Sequence, residues 1–181
     1  VIRLYVLCVL AAPLAARAAD DVPIVQPTHD VDVTYKVPVP GADNAALLQR
    51  LRWSASLRRQ RVDLPTSGNW MVLDFAAHRM FVVRDDARTV LDLPAPPDPP
   101  PSAAGFARAG EAVVAGLPCT QWRTRDSRGG ETLACYAPDG VLLRATSGER
   151  VLMEAVSVHD APQGAEVFEV PAGYARQVGE R

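Results

Sequence analysis

Two cysteines, Cys119 and Cys135, stand sixteen positions apart within "GLPCTQWRTRDSRGGETLACYAPDGVLLRAT", residues 116 to 146. Three chemistries use such a pair: metal ligation, dithiol exchange and a structural disulfide. A redox site normally carries C-x-x-C, and the chain has none. A zinc site needs about four ligands at suitable spacing, whereas His29, His78 and His159 are scattered and no second cysteine pair accompanies them. Ligands converging from distant strands stay open as an alternative. In an oxidising compartment the plain reading is a disulfide across a β-hairpin. With Cys119 placed opposite Cys135, Gln121 faces Leu133, Arg123 faces Glu131, and Trp122 faces Thr132 on the other side of the sheet. The turn then falls at residues 125–129, where Gly129 supplies a positive φ. Arg123 with Glu131 forms a favourable cross-strand charge pair in this register. Closing a loop of this length is worth about 3 kcal/mol in the chain-entropy treatment.

Patterns that carry other chemistry are missing from the sequence. It contains no G-x-S-x-G, no phosphate-cradling glycine loop, no H-E-x-x-H and no dinucleotide fingerprint. In "THDVD", Asp30 and Asp32 share one strand face and His29 takes the other. A solvated strand face accounts for them, with calcium binding or acid–base work as the alternative. His159 and Asp160 precede Pro162 in a loop and read as surface. No catalytic residue, metal ligand or cofactor is assigned, and the expectation is a protein that is not an enzyme.

Disulfide formation depends on the compartment, which the first residues indicate. Residues 1–18, "VIRLYVLCVLAAPLAARA", combine Arg3, an apolar run from Leu4 to Ala16 and the A-x-A site Ala16-Arg17-Ala18. That is the layout of a secretory signal peptide, and it predicts a periplasmic or secreted protein. The run is shorter than the roughly 20 apolar residues of a membrane-spanning helix, and no later stretch is longer, so a soluble mature chain without a membrane span is expected. Cys8 lies inside the run and leaves with it. Removal of residues 1–18 leaves 17 basic against 21 acidic side chains, a net charge of −4, which argues against nucleic acid as a partner. The remaining residues, 19–181, suit a single domain with a real core.

The elements that would position these groups read as strands. In "VDVTYKV", Val31, Val33, Tyr35 and Val37 alternate with Asp32, Thr34 and Lys36, the period of a half-buried strand. Leu47, Leu48 and Leu51 could form a helix capped by Asp43 or Asn44, but from position 50 strict alternation of Arg50, Arg52, Ser54, Ser56 and Arg58 with Leu51, Trp53, Ala55 and Leu57 favours a strand. The same alternation makes those arginines the wet face of that strand, with Arg59 and Arg61 beyond it; a polyanion site is the alternative. "WMVLDF" and "MFVV" are apolar on nearly both faces, as expected where both faces of a sheet are covered. Another sheet, a short helix or lid, or a bound apolar ligand could supply the second cover. The Pro-rich segment 94–105, opening "PAPPDPPP", cannot join a sheet and favours polyproline II; it reads as a crossing within the domain, a domain boundary being the other reading. Four strands joined by short turns follow over residues 117–158.

Trp53, Trp70, Met71, Phe75, Met80, Phe81 and Trp122 fall on these strands. They either fill the core or line a cavity on the concave face of a curved sheet, where methionine and aromatic side chains suit adaptable apolar ligands. The candidate lining is Trp53, Leu57, Met71, Leu73, Phe75, Met80, Val82 and Trp122.

"WMVLDFAAHRMFVV", "AGLPCTQW", "LACYAPDGVLLR" and the ending "VFEVPAGY" resemble an uncharacterised family of secreted bacterial proteins, domain of unknown function 4412. They cover most of residues 50–174. By analogy the fold is similar to that of periplasmic lipoprotein carriers, in which an open antiparallel half-barrel wraps a hydrophobic cavity. The resemblance implies a role in handling lipid or another apolar molecule, and it brings no catalytic residues. Two expectations follow. The chain is a mainly β, single curved antiparallel sheet that binds a lipid-like ligand, or it is a structural or protein-interaction module of the cell envelope without a small-molecule ligand.

Overall fold

The computed structural model describes residues 22–42, 45–95, 105–125 and 129–179. Residues 1–18, Asp43 and Asn44, and nearly all of the Pro-rich segment lie outside them. Among the described residues the strands are β1 (Val31–Pro38), β2 (Ala46–Ser54), β3 (Arg59–Asp63), β4 (Trp70–Asp74), β5 (Arg79–Arg84) and β6 (Thr89–Pro94), then β7 (Ala107–Val114), β8 (Leu117–Arg125), β9 (Glu131–Tyr136), β10 (Leu142–Ser147), β11 (Arg150–Asp160) and β12 (Ala175–Val178). One short 3-10 helix, Ala165–Phe168, precedes β12.

All twelve strands belong to one open sheet of order β12-β6-β5-β4-β3-β2-β1-β11-β10-β9-β8-β7. Two meanders, β1 to β6 and β7 to β11, are welded along β1 and β11, where Val31 opposes Asp160 and Val33 opposes Val158. Val31, Val33, Tyr35 and Trp53 pack with Val114, Cys119, Cys135, Leu143 and Ala155 in one cluster. Side chains from strands so far apart in the sheet meet only if the sheet curls, and Val31, Val33 and Tyr35 of this cluster define the inner face of β1. Bulged residues stand where the sheet bends: Val156 on β11, Leu143 on β10 and Ala109 on β7 each lack an opposite partner. A bulge adds local twist and bends the strand that carries it.

The fold is the mainly β open half-barrel expected, with three corrections of detail. The sheet is mixed, because β12 runs parallel to β6, with Ala175 beside Thr89 and Val178 beside Asp92. Leu47, Leu48 and Leu51 all lie in β2 and none in a helix, since β1 pairs with the whole of Ala46–Trp53 and supplies the backbone hydrogen bonds that a helical turn would have had to provide. The disulfide hairpin is slipped by two residues from the expected register: Gln121 faces Cys135, Trp122 faces Ala134, Arg123 faces Leu133, and the charge pair is Arg125 with Glu131. A two-residue slip leaves every side chain on its own face, so the cysteines still meet. They join diagonally at a Cα–Cα separation of 5.5 Å, comfortable for a disulfide.

The outer face of β4 to β6 is closed by the chain itself. Trp70, Val72, Val83 and Val90 pack under Phe168, flanked by Val167, Val170 and Tyr174. Arg61 fastens this cover: its guanidinium stacks on the Trp70 ring at 3.8 Å and donates to the Val167 carbonyl at 2.9 Å. A stacked, desolvated guanidinium contributes on the order of 1–2 kcal/mol. The arginines read as a wet face form an ordered ladder on this side. Arg50 pairs with Asp32, Arg52 and Arg61 share Asp63, Arg59 holds Asp74 at 2.8 Å, and Arg79 holds Asp92. Arg58 sits in the β2–β3 turn at φ 49°.

The β7–β8 turn is a two-residue loop in which Ala115 and Gly116 both have positive φ, 51° and 80°. That is the type I′ hairpin, which prefers Asn-Gly, while alanine in the left-handed region is strained. Ala115→Asn is therefore expected to raise stability by roughly 0.5–1 kcal/mol, read as a higher urea midpoint at unchanged slope.

Candidate functional site

Strict alternation carries the inner face across the N-terminal meander. Val33 faces Leu51, Leu51 faces Val62, Val62 faces Met71, Met71 faces Val82 and Val82 faces Leu91. Two residues along each strand, Gln60, Leu73, Met80 and Leu93 form a second row on the same side. Near β1 this face is buried in the core. Toward β4–β6 it is half-buried, and Met71, Leu73, Met80, Val82, Leu91 and Leu93 all keep some exposure.

At the start of this surface lies a cavity of about 270 Å³. Val31, Val33, Leu51, Val62, Val141, Leu142 and Met153 supply its apolar lining and Tyr35, Tyr136, Gln49 and Gln60 its polar side chains, while Val25 and Pro27 line it from the segment that precedes β1. The polar groups among these are amides and phenols, none carrying a charge at neutral pH. Such a lining can hold an apolar group and hydrogen-bond a neutral one. It offers no counter-charge to an ion.

The phenols are tied into the structure. Tyr35 donates to the Leu142 carbonyl at 2.7 Å, and burial, with the neighbouring Tyr136 phenol, pushes its pKa well above the usual tyrosine value. Burial pushes Tyr136 up as well. Because the folded pKa exceeds the unfolded value of about 10, the stabilising neutral form is fully present below pH 10 and its contribution falls as pH rises above that. Tyr35→Phe is expected to cost about 1 kcal/mol at pH 8, through the unpaired Leu142 carbonyl. The same variant should lose less stability than the parent between pH 9 and pH 11, as measured by urea unfolding.

The residues singled out from sequence fall into four places. Met71, Leu73, Met80 and Val82 share the half-buried inner face. Trp53 and Phe75 meet edge to face at 5.6 Å beside the inner core, and the Trp53 indole donates to the Pro27 carbonyl at 2.8 Å. Leu57 packs toward the outer cluster of Trp70 and Phe168, away from the others. Trp122 is buried in a separate recess of about 290 Å³ with Val22, Pro23, Ile24, Thr120 and Tyr136. The sequence reading missed Gln49, Gln60, Tyr136 and Met153. Position parity with Leu51 and Val62 could have placed Gln49 and Gln60 on the inner face, but polar residues there contradict the alternation that defines it. His29 bonds Asp160 at 2.9 Å at the end of the β1–β11 pair.

One open, curved sheet with a cavity on its inner face defines a half-barrel. No family model matches the sequence, and no curated protein sequence matches it. Among solved structures, the chain is similar to a conserved uncharacterised protein from Thermus thermophilus, with a TM-score of 0.62, 15% identity, 84% of this chain and 91% of that one covered. It is also similar to MucB, with a TM-score of 0.52 at 14% identity over 82% of this chain and 59% of that one. A chain of the Pseudomonas aeruginosa MucA/MucB complex gives a TM-score of 0.52 at 17% identity, covering 79% of this chain and 56% of that one. The chain thus spans less than two thirds of the length of both MucB-related chains. At these identities the likeness is one of fold. No helix among the described residues is long and apolar enough to cross a membrane.

Proposed function

We propose that the chain is a non-enzymatic binding module of the bacterial envelope, periplasmic or secreted, that holds a lipid-like or other apolar ligand on the inner face of its sheet. One observation carries this: the outer face of β4–β6 is sealed by residues 167–174, whereas the inner face of the same strands keeps a half-buried row of Met71, Leu73, Met80 and Val82 running from the cavity. The disulfide supports the compartment, since such bonds persist where the environment is oxidising. A cavity of about 270 Å³ lies just below the range of about 300–1,000 Å³ typical of small-molecule sites. It admits a slender group such as part of one acyl chain, and the rest of the ligand would lie along the half-buried row.

A second reading, a protein-interaction module without a small-molecule ligand, is supported by the fold likeness to MucB, whose complex with MucA is a solved structure. Native mass spectrometry of protein purified gently from a bacterial periplasm, with solvent extraction of the same sample, separates the two. A stoichiometric apolar ligand is the expected result. A clean apo mass, unchanged after incubation with envelope lipids, would overturn the ligand reading and favour the interaction module.

A further inference from the structure

Residues 22–30 form no strand, yet they cross the inner side of the sheet. Their downstream end is firmly anchored. Asp30 accepts from the Ala55 and Gln163 backbone N–H groups at 2.8 and 2.9 Å, and the Thr28 N–H donates to the Asp139 carbonyl at 2.9 Å. Upstream, the hold is lighter: the Trp53 indole bonds the Pro27 carbonyl, and Gly140 lies flat against Gln26 and Ile24. A Cβ on Gly140 would stand 2.4 Å from the Gln26 carbonyl oxygen and 2.7 Å from an Ile24 methyl. Upstream of Pro27 the segment makes no hydrogen bond to a described residue.

This segment is a partition. Val25 and Pro27 wall the inner cavity of about 270 Å³, while Val22, Pro23 and Ile24 wall the Trp122 recess of about 290 Å³. Tyr136 lines both spaces. With the segment lifted, the two would join into one groove, mostly apolar but with Arg108 at the Trp122 end, and well inside the size range of small-molecule sites, about 300–1,000 Å³. We infer that residues 22–27 are a displaceable strap: the free protein keeps its groove divided and covered, and an elongated apolar ligand must displace the strap to occupy both halves. The inference rests on the inner cavity being the binding site. It adds that the affinity measured is lowered by the fraction of molecules whose strap is closed, and that the ligand is long enough to reach from Leu51 to Trp122.

Two variants loosen the strap by different routes. Gly140→Ala places a methyl group against Gln26. Trp53→Phe removes the indole donor while keeping a ring against Phe75, and it serves if the positive φ of Gly140, 93°, makes the alanine variant unstable. Thermolysin cleavage within residues 22–27 reports the strap, and titration with the fluorescent apolar probe N-phenyl-1-naphthylamine reports the groove. Both variants are expected to be cleaved faster there and to bind the probe at least threefold more tightly than the parent. Faster cleavage with unchanged or weaker probe affinity would overturn the strap and leave the cavity reading intact. Unchanged cleavage in both variants would also overturn it, because those contacts would not be what holds the segment. No probe binding by parent or variants, despite faster cleavage, would overturn the cavity reading and the strap with it.

Discussion

Met80→Asp is expected to weaken apolar-ligand binding more than tenfold while lowering the melting temperature by only a few degrees. Met80 is half-buried on the inner face, opposite Leu73 on one side and Leu93 on the other. A carboxylate there can turn toward water in the free protein, but it must be desolvated beneath an apolar ligand, which is costly for an unpaired charge. Trp53→Asp should behave differently. Trp53 is only 3% exposed, and it bonds the strap and packs on Phe75. Truncating a buried tryptophan costs roughly 3–5 kcal/mol, and burying a charge in its place adds to that, so loss of folding is expected. Titration with an apolar probe alongside thermal unfolding distinguishes the two positions. Parallel loss of binding and stability at Met80 would make it ordinary core and remove the main support for an inner-face ligand.

Removing the disulfide should produce the second large effect. Cys119 and Cys135 are 4% and 2% exposed within the cluster that joins β1 and β2 to the second meander. Their bond restrains the unfolded chain and also helps hold the curl of β8 and β9 against Leu143 and Val114. The Cys119→Ala/Cys135→Ala double variant is expected to lose about 3 kcal/mol, a fall in melting temperature of roughly 6–12 °C for a domain of this size. Peptide mapping without reductant should recover the linked pair from protein made in its native compartment. A variant within about 1 kcal/mol of the parent would mean that the sheet's curvature is set by its bulges and packing alone.

Much of the fold could be read from local pattern because a strand in a half-buried sheet advertises itself every second residue. Val31, Val33 and Tyr35 were legible as one face and lie at 0%, 0% and 2% exposure. The double-sided apolarity of "WMVLDF" and "MFVV" correctly required a second cover. It did not reveal that the outer cover is Phe168 and its neighbours, about a hundred residues further along. Nor did it foretell that Leu57 would turn to that outer side, since Leu57 lies in a turn where alternation no longer assigns a face.

What the sequence determined by itself was therefore parity and punctuation: where most of the strands run, which residues within each share a face, and which cysteines can pair. Tertiary structure decided everything that parity leaves degenerate. The β8–β9 register differs by two residues from the one read locally, and a two-residue slip changes no side chain's face, so no hydrophobic pattern could have detected it. The β1–β11 weld joins segments more than a hundred residues apart, and the strap and the C-terminal cover are short segments placed by long-range contacts. Their positions depend on which buried surfaces remain to be covered once the sheet has curled. That is a property of the assembled sheet, and no single stretch of sequence contains it.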